Sequence, residues 1–232
     1  MKKMMIACVA GMALMACNQE KEAPALDLNN QVDKVSYSLG VSIGNSLKQQ
    51  GVTELKPEII QMAFADVFQD KDLQVNVQDA ETALQTYFMD QQRKKGEASA
   101  QKGEDFLTKN KTEDGVVTLP SGLQYKVLVE GNGAKPGPED MVTTHYTGTL
   151  LDGTVFDSSV ERGQPASFPV NGVIPGWTEA LQLMPVGSKW KLWVPANLAY
   201  GERGAGGKIG PNETLVFELE LLSIQQNPDA GK

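Results

Sequence analysis

The sequence predicts an α+β fold in which a C-terminal antiparallel sheet wraps one short helix, preceded by an all-α region and a long connecting helix. Three observations carry this. Composition changes at Gly115: before it the chain is rich in Gln, Lys and Glu, and after it short alternating segments are broken by Gly and Pro. Two of those segments, 189–194 and 214–224, alternate with the two-residue period of a half-buried strand. Just ahead of them, Trp177-Thr178-Glu179-Ala180-Leu181-Gln182-Leu183-Met184 places Trp177, Ala180, Leu181 and Met184 at helical spacing and stops at Pro185. Antiparallel strands around a single helix share one core when the sheet packs on that helix.

The chain has 232 residues, enough for one large or two modest domains, and a formal net charge of −8. Such acidity argues against a nucleic-acid partner, whose phosphates require a basic face. Lys2 and Lys3 precede an apolar, small-residue stretch over 4–15, too short to span a membrane and shaped as a targeting segment. Its end, Leu14-Met15-Ala16-Cys17, resembles the lipobox of bacterial lipoproteins. The resemblance implies removal of residues 1–16 as signal peptide and lipidation of Cys17. The chain would then hold the outer membrane through an N-terminal lipid anchor, facing the periplasm or the cell surface. The alternative is an ordinary secretory signal and a soluble periplasmic chain. Once residues 1–16 are gone, Cys17 is the one cysteine left, so neither a disulfide framework nor thiol catalysis is available.

Residues 17–30 read as a tether. Val35, Leu39, Ile43 and Leu47 then recur every four residues, with Gly51 placed to end a helix. Gly40 and Gly44 lie four apart on it, spaced to let another helix approach closely. Pro57 opens a second helix, with Ile60, Phe64, Val67 and Phe68 on its apolar face. These faces are too small to stand alone, which predicts a homodimer built by this region. A third helix starts at Asn76, whose side chain can cap it ahead of Asp79. It turns polar after Gln91, as helices bridging domains do. Gly96 and Gly103 weaken it and open the alternative of a kink. The helical region, with its long linking helix, is assigned residues 31–114.

From 115 to 226 the pattern is β. Segments 124–130 and 141–150 read as strands, the second followed by an Asp152-Gly153 turn into Thr154-Val155-Phe156. Residues 227–232 form a tail. The single histidine, His145, lies in a strand pattern with no nucleophile to serve, so no triad and no His-based metal site is supported. The run Gly201-Glu202-Arg203-Gly204-Ala205-Gly206-Gly207-Lys208-Ile209 lacks the glycine spacing and the Ser/Thr after lysine that a phosphate loop needs. It reads as a flexible surface loop.

Five ordered blocks now coincide: Tyr146-Thr147-Gly148; Leu151-Asp152-Gly153-Thr154-Val155-Phe156-Asp157-Ser158-Ser159; Val173-Ile174-Pro175-Gly176-Trp177; Ala199-Tyr200-Gly201; and Leu215-Val216-Phe217. In order and spacing they resemble the FKBP-type peptidyl-prolyl isomerase domain. The block from Asp33 onward resembles the helical dimerisation domain of Mip-like members of that family. The resemblance implies a catalytic set of Tyr146, Phe156, Asp157, Trp177, Tyr200 and Phe217, with Val173, Ile174, Ile209 and Phe168 binding substrate. Trp177 would be the floor, Tyr146, Phe156 and Phe217 aromatic walls, and Val173 and Ile174 a rim. The Tyr200 hydroxyl and the Ile174 amide would donate to the peptide, and Tyr146 would hold Asp157. The substrates implied are proline-containing polypeptides of the cell envelope; no cofactor and no metal are needed. Ala166, Ala205 and Lys208 depart from the residues common at their positions, which bears on macrolide affinity and substrate preference. The competing reading is a non-catalytic chaperone or prolyl-peptide binding module.

Overall fold

The structure, a computed structural model, describes residues 25–52 and 54–225. The signal peptide, Cys17, most of the tether and the tail lie outside the described residues. The chain divides into two compact units between Lys71 and Asp72.

The first unit holds α1 (Gln31–Gln49) and α2 (Pro57–Phe68). Asn30 caps α1 by accepting from the amides of Val32 (2.9 Å) and Asp33 (3.4 Å). Gly51, at φ 83°, turns the chain out of it. Pro57 occupies the first turn of α2. Neither helix buries a residue within this single chain: Val35, Leu39, Phe64 and Phe68 are all exposed. A Cβ added at Gly40 or Gly44 would meet nothing within 4 Å.

The second unit begins with α3 (Val77–Asn110), an unbroken helix of 34 residues. Asn76 accepts from the Asp79 amide at 2.9 Å, as its sequence position predicts. On the exposed polar stretch Arg93 pairs with Asp90 (2.6 Å) and Glu97 (2.7 Å), the spacing at which helical side chains meet. The kink does not occur. Gly96 and Gly103 are instead buried, because the helix lies close over the segment leading into the last strand. A Cβ at Gly103 would sit 2.3 Å from Thr214 Oγ1, and one at Gly96 3.3 Å from Pro211 Cβ. Ser99 donates to Glu213 (2.9 Å), and buried Asn110 donates to the Gln124 side chain (2.8 Å).

Seven strands follow: β1 (Val116–Thr118), β2 (Gln124–Val129), β3 (Met141–Leu150), β4 (Val155–Ser158), β5 (Ala166–Pro169), β6 (Lys189–Val194) and β7 (Leu215–Gln225). They form one sheet in the order β1-β2-β6-β7-β3-β4, with β5 added to the other end of β3, and every pairing is antiparallel. Leu215, Phe217, Leu219 and Leu221 of β7 and Leu192 and Val194 of β6 turn one apolar face inward. Against it lies α4 (Pro175–Leu183), which buries Trp177, Ala180 and Leu181. The sequence places the start of this helix at Trp177, whereas the structure starts it at Pro175. A proline lacks the donor that a first helical residue leaves unused, so the Pro-Gly pair opens the helix. Gly176 brings α4 onto the sheet: a Cβ there would lie 2.5 Å from Val194 Cγ1.

Candidate functional site

The first turn of α4 points Trp177 at a cleft of about 410 Å³. The indole is 5 % exposed, and three rings pack around it. Tyr146 and Phe217 meet it edge-on, each with centroids 5.0 Å away, and Phe168 lies tilted at 5.5 Å. Phe156 stands edge-on to Phe217 at 5.6 Å. These are the arrangements that aromatic quadrupoles favour, so each ring holds its neighbour. Gly148 on β3 makes room for them: a Cβ there would lie 2.6 Å from Phe156 and 2.8 Å from Phe217. The buried Trp177 indole N–H has no protein partner among the described residues.

Polar groups gather on one side. Tyr146 donates to Asp157 Oδ2 at 2.5 Å, Arg162 pairs with Asp157 Oδ1, and Arg162 also donates to the Tyr146 hydroxyl at 3.1 Å. The guanidinium lies 5.8 Å from the centre of the Tyr146 ring. Burial alone would raise the Asp157 carboxyl. The hydrogen bonds from Tyr146 and Arg162, with the arginine's charge, outweigh it and hold the group below the ordinary carboxylate range. Burial, then the bond to Asp157, pushes the Tyr146 phenol above its usual value. Arg162 escaped the sequence reading, although it follows the matching block by three residues. The Tyr200 hydroxyl and the Ile174 amide are engaged by no other described group.

The cleft brings together Tyr146, Phe156, Asp157, Phe168, Val173, Ile174, Trp177, Tyr200 and Phe217, and adds Gly172, which the sequence did not single out. Ile209 is not in the lining. It is 9 % exposed, packed in the core under a tight hairpin. That hairpin is the glycine-rich run, and it is not a free loop. Ala205 and Ile209 exchange backbone hydrogen bonds of 2.9 and 3.0 Å, with Gly206 and Gly207 at positive φ between them. His145 faces Ser159 Oγ at 3.1 Å and does not line the cleft. Among the described residues, no His, Cys, Asp or Glu cluster could hold a metal ion. A second hollow of about 480 Å³ lies between α3 and the β1–β2 turn, but no aromatic lines it. Among the described residues, the aromatic cleft combines an apolar floor with convergent polar groups, the mark of a ligand site.

An antiparallel sheet folded over a helix whose first turn floors an aromatic cleft defines a class of α+β domain with an apolar ligand cleft. Comparison with known proteins gives the class its family. Residues 132–222 match the family described as FKBP-type peptidyl-prolyl cis-trans isomerase. Residues 32–127 match the domain amino terminal to it. The outer membrane protein MIP of Legionella longbeachae is 44% identical over 231 residues, covering 97% of this chain and 98% of that protein. The FKBP-type 22 kDa peptidyl-prolyl cis-trans isomerase of Escherichia coli (strain K12) is 50% identical over 194 residues, covering 82% of this chain and 94% of that one. Among solved structures, the crystal structure of FkpA from Escherichia coli superposes with a TM-score of 0.69 at 39% identity, covering 86% of this chain and 99% of that one. The chain belongs to the FKBP-type peptidyl-prolyl cis-trans isomerases.

Proposed function

We propose that the cleft rotates Xaa-Pro bonds of polypeptides by holding the twisted amide in an apolar, water-poor space. Rotation about a secondary amide is opposed by a resonance barrier of about 18–20 kcal/mol; in Xaa-Pro bonds exchange takes tens to hundreds of seconds. The planar amide is the more polar form. Taking it out of water into a cleft of aromatic rings raises it relative to the twisted form, which has lost that resonance. The proline ring rests on Trp177, and the free Tyr200 hydroxyl and Ile174 amide anchor the flanking backbone. Asp157, pinned by Tyr146 and Arg162, stays ionised beside the reacting carbonyl and moves no proton. The observation that carries this reading is the ring cage on Trp177 with one immobilised carboxylate at its edge. Exchange NMR on a short prolyl peptide tests it. Catalysed exchange, reduced in Trp177→Leu, is expected. Binding of the peptide without faster exchange would leave a holding module instead.

The same proposal extends to place and assembly. The N-terminal sequence and the likeness to a protein named for the outer membrane support a lipidated chain anchored by Cys17 in the envelope. No described helix is long and apolar enough to cross a membrane. The exposed apolar faces of α1 and α2 support a homodimer, and the clients are proline-containing envelope polypeptides. The division of labour follows: residues 31–114 assemble and link, residues 115–226 catalyse.

A further inference from the structure

We propose that Lys208 is a specificity-determining residue that favours substrates carrying an acidic side chain next to the proline. The inference rests on the reading of the cleft as a prolyl site and adds the identity of the flanking residue. Its basis is where the glycine-rich hairpin puts one cation. The paired backbone of Ala205 and Ile209 fixes the hairpin's base, and the burial of Ile209 fixes the backbone just after Lys208. From there the side chain reaches across to β4, and Nζ lies 3.5 Å from the Phe156 carbonyl oxygen. Phe156 is a wall of the cleft. The ammonium therefore stands against the backbone of one cleft wall, outside the lining itself, held by one long hydrogen bond to a neutral group. An ammonium has three donors, so most of its capacity is left for a ligand.

Among the described residues Lys208 forms no ion pair, and the cleft's own carboxylate has no oxygen to spare. Both oxygens of Asp157 are already taken, one by Tyr146 and one by Arg162. Glu202, on the same loop, lines a separate hollow with Arg93 and Glu97 of α3. Arg162 is thus spent on Asp157 and Tyr146, whereas the partner of Lys208 Nζ among the described residues is the neutral Phe156 carbonyl. Consecutive Cα atoms are about 3.8 Å apart. With the proline ring on Trp177, a residue on either side of it comes within side-chain reach of Phe156 and so of Lys208. A carboxylate there gains a partner, and an ammonium there meets repulsion.

The test uses the full-length protein and two sets of short peptides, with Glu, Gln or Lys immediately before or immediately after the proline. Exchange NMR reads kcat/KM at low and high salt. The Glu peptide of one set should exceed its Gln counterpart by about two- to fivefold at low salt, the scale of an exposed ion pair. The advantage should fade as salt screens it. Lys208→Gln should erase the preference, and Lys208→Glu should turn it towards the Lys peptide. Equal rates for Glu and Gln in both sets, or a Glu preference that survives in Lys208→Gln, would overturn the proposal. Catalysis without charge preference refutes this inference alone; no catalysis of any peptide refutes the prolyl reading with it.

Discussion

At the scale of the residue, the site divides into packed rings and a few polar groups gathered on one side. Tyr200→Phe removes one hydroxyl, and a hydrogen bond is worth about 0.5–1.5 kcal/mol, so kcat/KM should fall about two- to tenfold. Phe217→Leu keeps an apolar side chain but opens the wall beside Trp177, and should cost more than Tyr200→Phe. The reverse ranking, measured on one peptide, would shift the weight from desolvation to hydrogen bonding. The pH dependence follows from the shifts at Asp157 and Tyr146. The carboxyl of Asp157 is held low, so its network stabilises the folded chain above the ordinary Asp value of about 3.9. That stabilisation is lost as pH falls through the lowered value. Tyr146 is raised, so its contribution is complete below about 10 and fades as pH climbs through the folded value. Denaturant unfolding of wild type and Asp157→Asn should therefore differ at pH 6 to 8, roughly, and converge in acid. A difference that persists below both carboxyl values would contradict the pairing. Peptide isomerisation itself should be level across the same neutral window, since neither cleft group titrates there.

At the scale of the element, glycines set how closely segments meet. Gly148 of β3 has the Phe156 and Phe217 rings over the place a Cβ would take. Gly148→Ala must push rigid rings into the cleft, at about 1–3 kcal/mol of overpacking. Stability by denaturant and kcat/KM on a short peptide should both fall; an unchanged pair of values would mean the wall has slack. This position also shows what was legible beforehand. The strands of β6 and β7, the bounds of β3, the Gly51 end of α1 and the Asn76 cap of α3 follow from alternation, turn residues and one side-chain cap, all of which are local. By the same local reasoning, Gly96 and Gly103 are weak points of α3. Their role depends on Pro211 and Thr214, more than a hundred positions away, which helix propensity does not contain. The short β5 has four residues and ends in proline, too little for a periodic signal. The hairpin at Ala205 and Ile209 was hidden by its glycine content, which reads as freedom until a partner carbonyl is seen. Nine of the ten residues assigned to catalysis or substrate binding line the cleft. Arg162 went unnoticed because a lone arginine past a turn carries no pattern of its own.

At the scale of the whole molecule, the compact unit carrying the cleft starts at Asp72 and so takes in α3. A chain starting at residue 72 keeps α3 on its sheet. A chain cut at residue 114 loses the Asn110 partner of Gln124 and the helix over Thr214. The longer fragment should be monomeric by sedimentation and fully active on short peptides, and the shorter one less stable. The full-length chain should sediment as a dimer and lose that state when Phe64→Glu charges the face of α2. A dimeric fragment or a monomeric full-length chain would refute assembly through α1 and α2. In cells, Cys17→Ser should release the chain from the membrane fraction; retention of the cleaved, unacylated chain would refute the anchor.

The cage around Trp177 has a thermodynamic corollary. Its rings and its fixed carboxylate lower one barrier and are left unchanged after each turnover, so forward and reverse rotation quicken by the same factor. The cleft therefore cannot choose an isomer. The final cis-to-trans ratio belongs to the client, through whichever isomer its own folding consumes. What the cleft alters is waiting time: an uncatalysed prolyl bond exchanges over tens to hundreds of seconds, slow enough to limit folding. A client already locked in the wrong isomer by its own packing gains nothing, because the bond must be exposed to reach the indole.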